Sequence, residues 1–175
     1  MELLQEKGMH LQTGFVGTPF LCKALSAEGL SDAAYEILFQ EDFPSWLYEV
    51  NMGATTIWER WNSVLPDGSM SGTGMNSLNH YAYGSIAQWM YENIAGLTAV
   101  EPGFKTFRVK PEFTERFSFV EAKFDSAMGQ IKIRWEKLAD GDYALQVCVP
   151  FNTTAEVEID GKTRLLQPGC HMLRV

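Results

Sequence analysis

The chain has 175 residues, 46% hydrophobic and 21% charged, the balance of an ordinary folded protein. Its formal net charge of −8 argues against nucleic acid as a partner, because phosphate contacts need a basic face. No apolar run approaches the roughly 18 residues of a membrane span, and the start, MELLQEKGMH, lacks the basic and apolar stretches of a signal peptide.

Taken in chain order, Gly14 to Glu28 reads as a helix, with Gly29 suited to the left-handed position after its end. Ser31 is placed to cap a second helix whose inner face is Ala33, Ala34, Ile37 and Leu38, at helical spacing. A short helix is expected from Pro44 to Met52. Gly53 to Ser77 is rich in Gly, Ser, Thr and Asn and long for a plain connection, and such loops often carry function. The pattern is clearest from Asn79 to Ala95, where Ala82, Ile86, Trp89, Met90 and Asn93/Ile94 share one stripe of a helix that Gly96 closes.

Strands follow. Phe104–Val109, Phe117–Phe124, Gln130–Glu136, Tyr143–Val149, Ala155–Ile159, Thr163–Leu166 and Cys170–Val175 are separated by turn signals such as Asp140-Gly141 and Asp160-Gly161. Ile131, Ile133 and Trp135 alternate with Lys132, Arg134 and Glu136, which gives one buried and one wet face. The fold class is therefore α+β, helices followed by a small antiparallel β-sandwich.

Charge divides at the same place. Residues 1–100 carry three cations (Lys7, Lys23, Arg60) against eleven acids, and residues 101–175 carry eleven of each. Four of the five tryptophans also lie in the first part, so two units joined near Glu101-Pro102-Gly103 are expected. Cys22, Cys148 and Cys170 sit far apart with no metal-binding spacing, and a sparse, odd count favours reduced core thiols, with a slight lean to a cytoplasmic setting.

The densest cluster of chemistry is Ala54-Thr-Thr-Ile-Trp58-Glu59-Arg60-Trp61. A carboxylate between two indoles is poorly hydrated, which raises its pKa and suits proton transfer, whereas pairing with Arg60 opposes that shift. The alternative is an interhelix Glu–Arg pair beside two core tryptophans. The second cluster is Asn76-Ser-Leu-Asn-His80-Tyr-Ala-Tyr-Gly84. Asn76 or Ser77 would cap the last helix, with His80 in its first turn as a neutral imidazole able to donate to a hydroxyl. A helix-start histidine bonded to backbone is the equal alternative. His10 and Trp46 read first as cap and core. Gly72-Thr73-Gly74 carries no phosphate-binding signal.

In order along the chain, His10-Leu-Gln-Thr-Gly-Phe-Val-Gly-Thr-Pro19, Pro44-Ser-Trp46, Gly53-Ala-Thr-Thr-Ile-Trp-Glu-Arg-Trp61 and Gly74-Met-Asn-Ser-Leu-Asn-His-Tyr-Ala-Tyr-Gly84 resemble bacterial α-L-rhamnosidases of glycoside hydrolase family 78. The resemblance implies an (α/α)6 six-hairpin barrel with inverting chemistry, followed by a C-terminal β-domain. Carried over, Glu59 is the general base, His80 binds rhamnose hydroxyls, and Trp46 and Trp58 are candidate walls of the pocket. No cofactor and no metal are implied, and the partner is a rhamnose-containing glycoside.

Inversion needs a second carboxyl roughly 6.5–9.5 Å from the base. The family's general-acid motif, upstream and rich in Asp, Arg and Glu before Gly-Trp, has no counterpart here. A barrel of about twelve helices also cannot come from the four legible ones. The resemblance therefore implies residues 1–100 as the end of the barrel domain and 101–175 as the β-domain. The piece is expected to be inactive alone, its apolar helix faces left for an upstream part or for other copies. The alternative is a non-catalytic carbohydrate-binding or structural module, and a six-hairpin glycosidase for another sugar is a third reading.

Overall fold

The structure is a computed structural model describing residues 2–72 and 74–175, so Thr73 of the Gly72–Gly74 stretch lies outside the described residues. The chain forms two compact units, one ending at Ala87 and one spanning Gln88–Val175.

The first unit is helical. Helices α1 (Glu2–Glu6), α2 (Thr18–Ala27), α3 (Ser31–Leu38) and α4 (Trp46–Asn51) are joined by irregular segments. Helices α2 and α3 form a hairpin. Gly29 takes the left-handed position after α2 as expected, and Leu30 N–H returns to the Leu25 carbonyl at 2.8 Å. That bond puts Leu30 itself at the start of α3, so Ser31 is not the cap. Its hydroxyl donates to Ser26 Oγ at 2.9 Å instead. The predicted inner face is buried, with Ala34 and Ile37 fully so. Ser45 caps α4, its Oγ accepting the Tyr48 N–H at 3.0 Å. Gly53, at φ +85°, ends α4 by sending its N–H to Val50 O at 2.9 Å and letting Ala54 N–H reach Glu49 O at 3.0 Å. A side chain at that φ would be strained.

The last helix starts later than its stripe predicts. A 3₁₀ turn over Ala82–Ser85 leads into α5 (Ile86–Trp89) and a π-helical turn over Met90–Ile94. Residues 77–81 stay outside because their polar groups bond within the segment and to the loop around Ile57. Ser77 Oγ accepts from Asn79 N–H at 3.1 Å, and His80 N–H donates to Ile57 O at 2.8 Å. Side-chain bonds of this kind compete with the helix ladder.

The second unit holds eight strands: β1 (Leu97–Ala99), β2 (Thr106–Val109), β3 (Phe119–Ser126), β4 (Gly129–Lys137), β5 (Tyr143–Val149), β6 (Thr154–Ile159), β7 (Lys162–Leu166) and β8 (Gly169–Arg174). They make two four-stranded sheets, β1-β2-β6-β7 and β3-β4-β5-β8. Strand β1 was not among the predicted strands. Every pair is antiparallel except β2–β6, which is parallel because the β3–β5 meander carries the chain into the other sheet before β6 returns beside β2. The alternation in β4 holds: Ile131, Ile133 and Trp135 are buried, and Lys132 pairs with Glu121 at 3.1 Å on the wet face. Trp135 is fully buried, with its indole N–H donating to Ile94 O at 2.9 Å.

Gly96 lies at φ +78°, and a methyl on it would stand 2.2 Å from the Lys110 carbonyl carbon and the Pro111 nitrogen. Gly96→Ala combines backbone strain with overpacking, so a loss of roughly 3 kcal/mol is expected. Urea unfolding of the variant and the parent chain measures it.

The thiol expectation is corrected. Cys148 and Cys170 form a disulfide across β5 and β8, and Cys22 is the free, buried cysteine. The two-residue alternation from the mutually hydrogen-bonded Tyr143/Val175 pair puts Cys148 and Cys170 at a non-hydrogen-bonded pair, the closest type of cross-strand position. With these sulfurs paired, the ground for a cytoplasmic lean is gone. Burial pushes the Cys22 thiol up to about 12, so it stays protonated at neutral pH. Thiol titration should find no reactive thiol in the native chain, one on denaturation, and three after reduction.

Candidate active site

Helix α4 and the loop after it build the site. Trp46 and Glu49, three residues apart, share the inward face of α4. The Trp46 indole N–H donates to Tyr83 O at 2.9 Å, and its ring meets Trp61 edge-on at 5.3 Å. Trp61 stacks on Tyr83 at 3.7 Å. Trp46, Trp58 and Trp61 are all buried, so the two indoles flanking Glu59 in sequence point inward while Glu59 is half-buried.

Glu59 and Ser77 are tied twice. Glu59 N–H donates to Ser77 O at 2.9 Å, and Ser77 N–H donates to Glu59 Oε2 at 2.7 Å. The second is a charge-assisted bond that fixes the carboxylate's direction. Two residues earlier, Ile57 O accepts the His80 N–H. The Thr56 hydroxyl donates to Leu78 O. The two sequence clusters are therefore laced together along Thr56–Glu59 and Ser77–His80. Ser77 serves here as partner to Glu59 rather than as a helix cap. Asn76 donates to Ser63 O and Ser71 O, both at 3.1 Å, and pins the intervening loop.

Arg60 does not pair with Glu59. Its guanidinium lies against Gly72, where an added methyl would stand 3.1 Å from it, and no ion pair between the two is found among the described residues. His80 Nδ1 accepts the Ala82 N–H at 3.3 Å, so the neutral ring carries its proton on Nε2 and can donate from there. The ring stacks nearly parallel to Phe15, at 4.7 Å, and to Tyr81, at 5.2 Å. His10 bonds to its local backbone, with Nδ1 3.3 Å from Lys7 O.

Glu49 was not singled out in the sequence, although its i, i+3 spacing from Trp46 was the available signal. The residue is 2% exposed. Oε2 accepts the Trp58 N–H at 3.3 Å, and Oε1 has no hydrogen-bond partner. It lines a cleft of about 250 Å³ with Trp46, Val50, Ala54, Thr55, Thr56 and Ile57. Burial pushes its pKa from 4.5 up to about 7, only partly offset by the Trp58 amide. No group of residues among those described has a metal-binding arrangement.

Between pH 4.5 and about 7 the unfolded chain has released the Glu49 proton and the folded chain has kept it. Stability therefore falls as pH rises through that window, by no more than about 3 kcal/mol, and levels off above it. Glu49→Gln should remove this part of the fall. Chemical unfolding of both chains at pH 4.5, 6 and 8 checks the difference.

The model of the bacterial alpha-L-rhamnosidase 6 hairpin glycosidase domain matches residues 1–94, and that of the bacterial alpha-L-rhamnosidase C-terminal domain matches residues 96–172. An alpha-L-rhamnosidase from Alteromonas sp. (strain LOR) is 46% identical over 156 residues, covering 89% of this chain and 17% of the relative. One from Streptomyces avermitilis is 45% identical over 157 residues, covering 90% and 15%. The crystal structure of the Streptomyces avermitilis alpha-L-rhamnosidase complexed with L-rhamnose superposes with a TM-score of 0.92 at 38% identity, over 99% of this chain and 19% of that one. The Aspergillus terreus enzyme gives 0.94 at 37%, over 99% and 20%. The chain thus spans between about a seventh and a fifth of these relatives. With a six-hairpin segment and a C-terminal β-domain in the order the family has them, this chain belongs to the bacterial α-L-rhamnosidase family.

Proposed function

We propose that the chain is the C-terminal segment of an inverting α-L-rhamnosidase that hydrolyses terminal α-L-rhamnosides, carrying the general base and part of the sugar pocket. In this reading residues 1–100 are the end of the barrel domain and residues 101–175 the β-domain. Glu59 is the base that takes a proton from the attacking water. His80 donates from Nε2 to rhamnose hydroxyls. Trp46 and Trp58 are the candidate walls of the pocket. The observation that carries the reading is the lacing of Glu59 to Ser77 and of Ile57 to His80, which holds a carboxylate and a ring donor on adjacent rungs.

The general acid lies outside this chain in the proposed scheme. The chain's short span relative to its relatives supports that, as do exposed apolar side chains on the helical unit such as Val16, Phe20 and Tyr81. Exposed apolar surface of this kind marks contacts with partners, and the upstream hairpins of the barrel are the proposed partner. Without the acid, leaving-group protonation is lost, worth about 10²–10⁴ in rate. The pure chain is therefore expected to release no L-rhamnose above the blank from a rhamnoside with an alkyl aglycone, such as methyl α-L-rhamnoside, whose alkoxide leaving group needs the proton. Clear release that Glu59→Gln abolishes would overturn the assignment of the missing acid. Calorimetry with L-rhamnose extends the test: weak binding to the chain, lost in His80→Ala, supports the pocket.

A further inference from the structure

Glu49 is the buried ionisable group that the scheme above does not use. Its placement links it to Glu59 through one peptide. The Glu49 carbonyl accepts the Ala54 N–H at 3.0 Å and its carboxyl accepts the Trp58 N–H at 3.3 Å, so both ends of the Ala54–Trp58 segment hang from this residue. The next amide, that of Glu59, goes to Ser77 instead. Consecutive N–H groups held by different partners fix the peptide between them, and with it the direction in which the Glu59 side chain leaves the loop.

We propose that Glu49 is a positioning residue for Glu59, holding the Trp58–Glu59 peptide so that the Glu59 carboxylate meets the Ser77 amide. The proposal rests on reading Glu59 as the base. Glu49 touches no reacting atom in it and acts only through the loop.

A purely structural acceptor at this point need not be an acid. Asparagine, glutamine or a backbone carbonyl would satisfy one amide without the cost of burying a carboxyl. Glu49 has its second oxygen unpartnered at the wall of a cleft, beside Thr55 and Thr56. No ion pair among the described residues includes it. The titratable group coupled to it is Tyr83, whose phenol is held up first by burial and then by the Glu49 charge. Glu49 therefore holds the loop as a neutral acid at low pH and changes state near pH 7. Once ionised, its free oxygen faces only the cleft, with no protein donor to it. The hold on the Trp58 amide is thus pH-dependent, which a fixed backbone acceptor would not be.

Amide NMR of the full 175-residue chain from pH 5 to 9 tests this without requiring activity. The Trp58 amide proton should titrate with a midpoint near 7 in the parent chain and not in Glu49→Gln. His80→Asn should keep the titration, which separates it from the histidine. The Ser77 amide, shifted downfield by its bond to Glu59, should keep its shift in Glu49→Gln and lose most of it in Glu49→Ala, with the β4 and β5 amides unmoved. A Trp58 titration that persists in Glu49→Gln overturns the proposal, as does a Ser77 amide unchanged in a folded Glu49→Ala. If Glu49→Ala does not fold, the Glu49→Gln titration alone decides. L-Rhamnose binding is followed on the same samples: failure of the parent chain to bind, with the amide responses as expected, counts against the sugar-pocket reading and leaves the positioning role standing.

Discussion

The Gly53–Trp61 loop belongs to no helix or strand, and its inward amides must still find acceptors. That constraint organises the helical unit. The amide of Ala54 goes to the α4 terminus, that of Trp58 to the Glu49 carboxyl and that of Glu59 to Ser77. Because the acceptors come from both α4 and the Ser77–His80 segment, the loop cannot move without disturbing both. The same bonds explain why the last helix starts late. Residues 77–80 spend their backbone and side-chain groups on the loop, and the regular ladder begins after them. A helix shortened at its start and a laced pair of loops are one feature seen from two sides.

The buried acid alters the meaning of the charge. All of the formal −8 falls on residues 1–100, and that count treats Glu49 as ionised. Burial keeps it close to half-protonated near neutral pH, so this part is less negative than its composition states. Arg60, which the sequence offered as a counter-ion for Glu59, is turned toward Gly72. The carboxylate of Glu59 is stabilised by a backbone amide, a neutral donor with fixed direction. Such a donor orients without adding a competing cation beside the group expected to accept a proton.

The β unit rests on different physics. Alternating side chains give Phe107, Val109, Ile131, Ile133, Trp135, Leu145 and Val147 to its interior, and ion pairs such as Lys132–Glu121 lie on the solvent face. Pairs of that exposed kind contribute little to stability, so the buried apolar residues hold the unit. The helical unit buries a set of similar size, including Trp46, Trp61 and Tyr83, and leaves Val16 and Phe20 exposed. The exposed apolar side chains of the helical unit fit a segment that spans about a fifth or less of its relatives.

The sequence alone determined most of what depends on neighbours along the chain. The inner face of α3 and the wet and dry faces of β4 follow from spacing, and α2, α4 and the turn at Gly29 from residue type, although α2 begins at Thr18 rather than at Gly14. The motif order around Glu59 and His80 carried the family resemblance. Three features required the tertiary structure. The Cys148–Cys170 bond depends on β5 and β8 lying side by side in one register, which two distant cysteines cannot announce. The parallel β2–β6 pair depends on which sheet the chain re-enters. Glu49 reads as a polar residue on a short helix, and only the fold brings the Trp58 amide to its carboxyl and shuts out water. Local pattern fixes conformation over a few residues, but burial and hydrogen-bond partners are set by segments that the fold alone brings together.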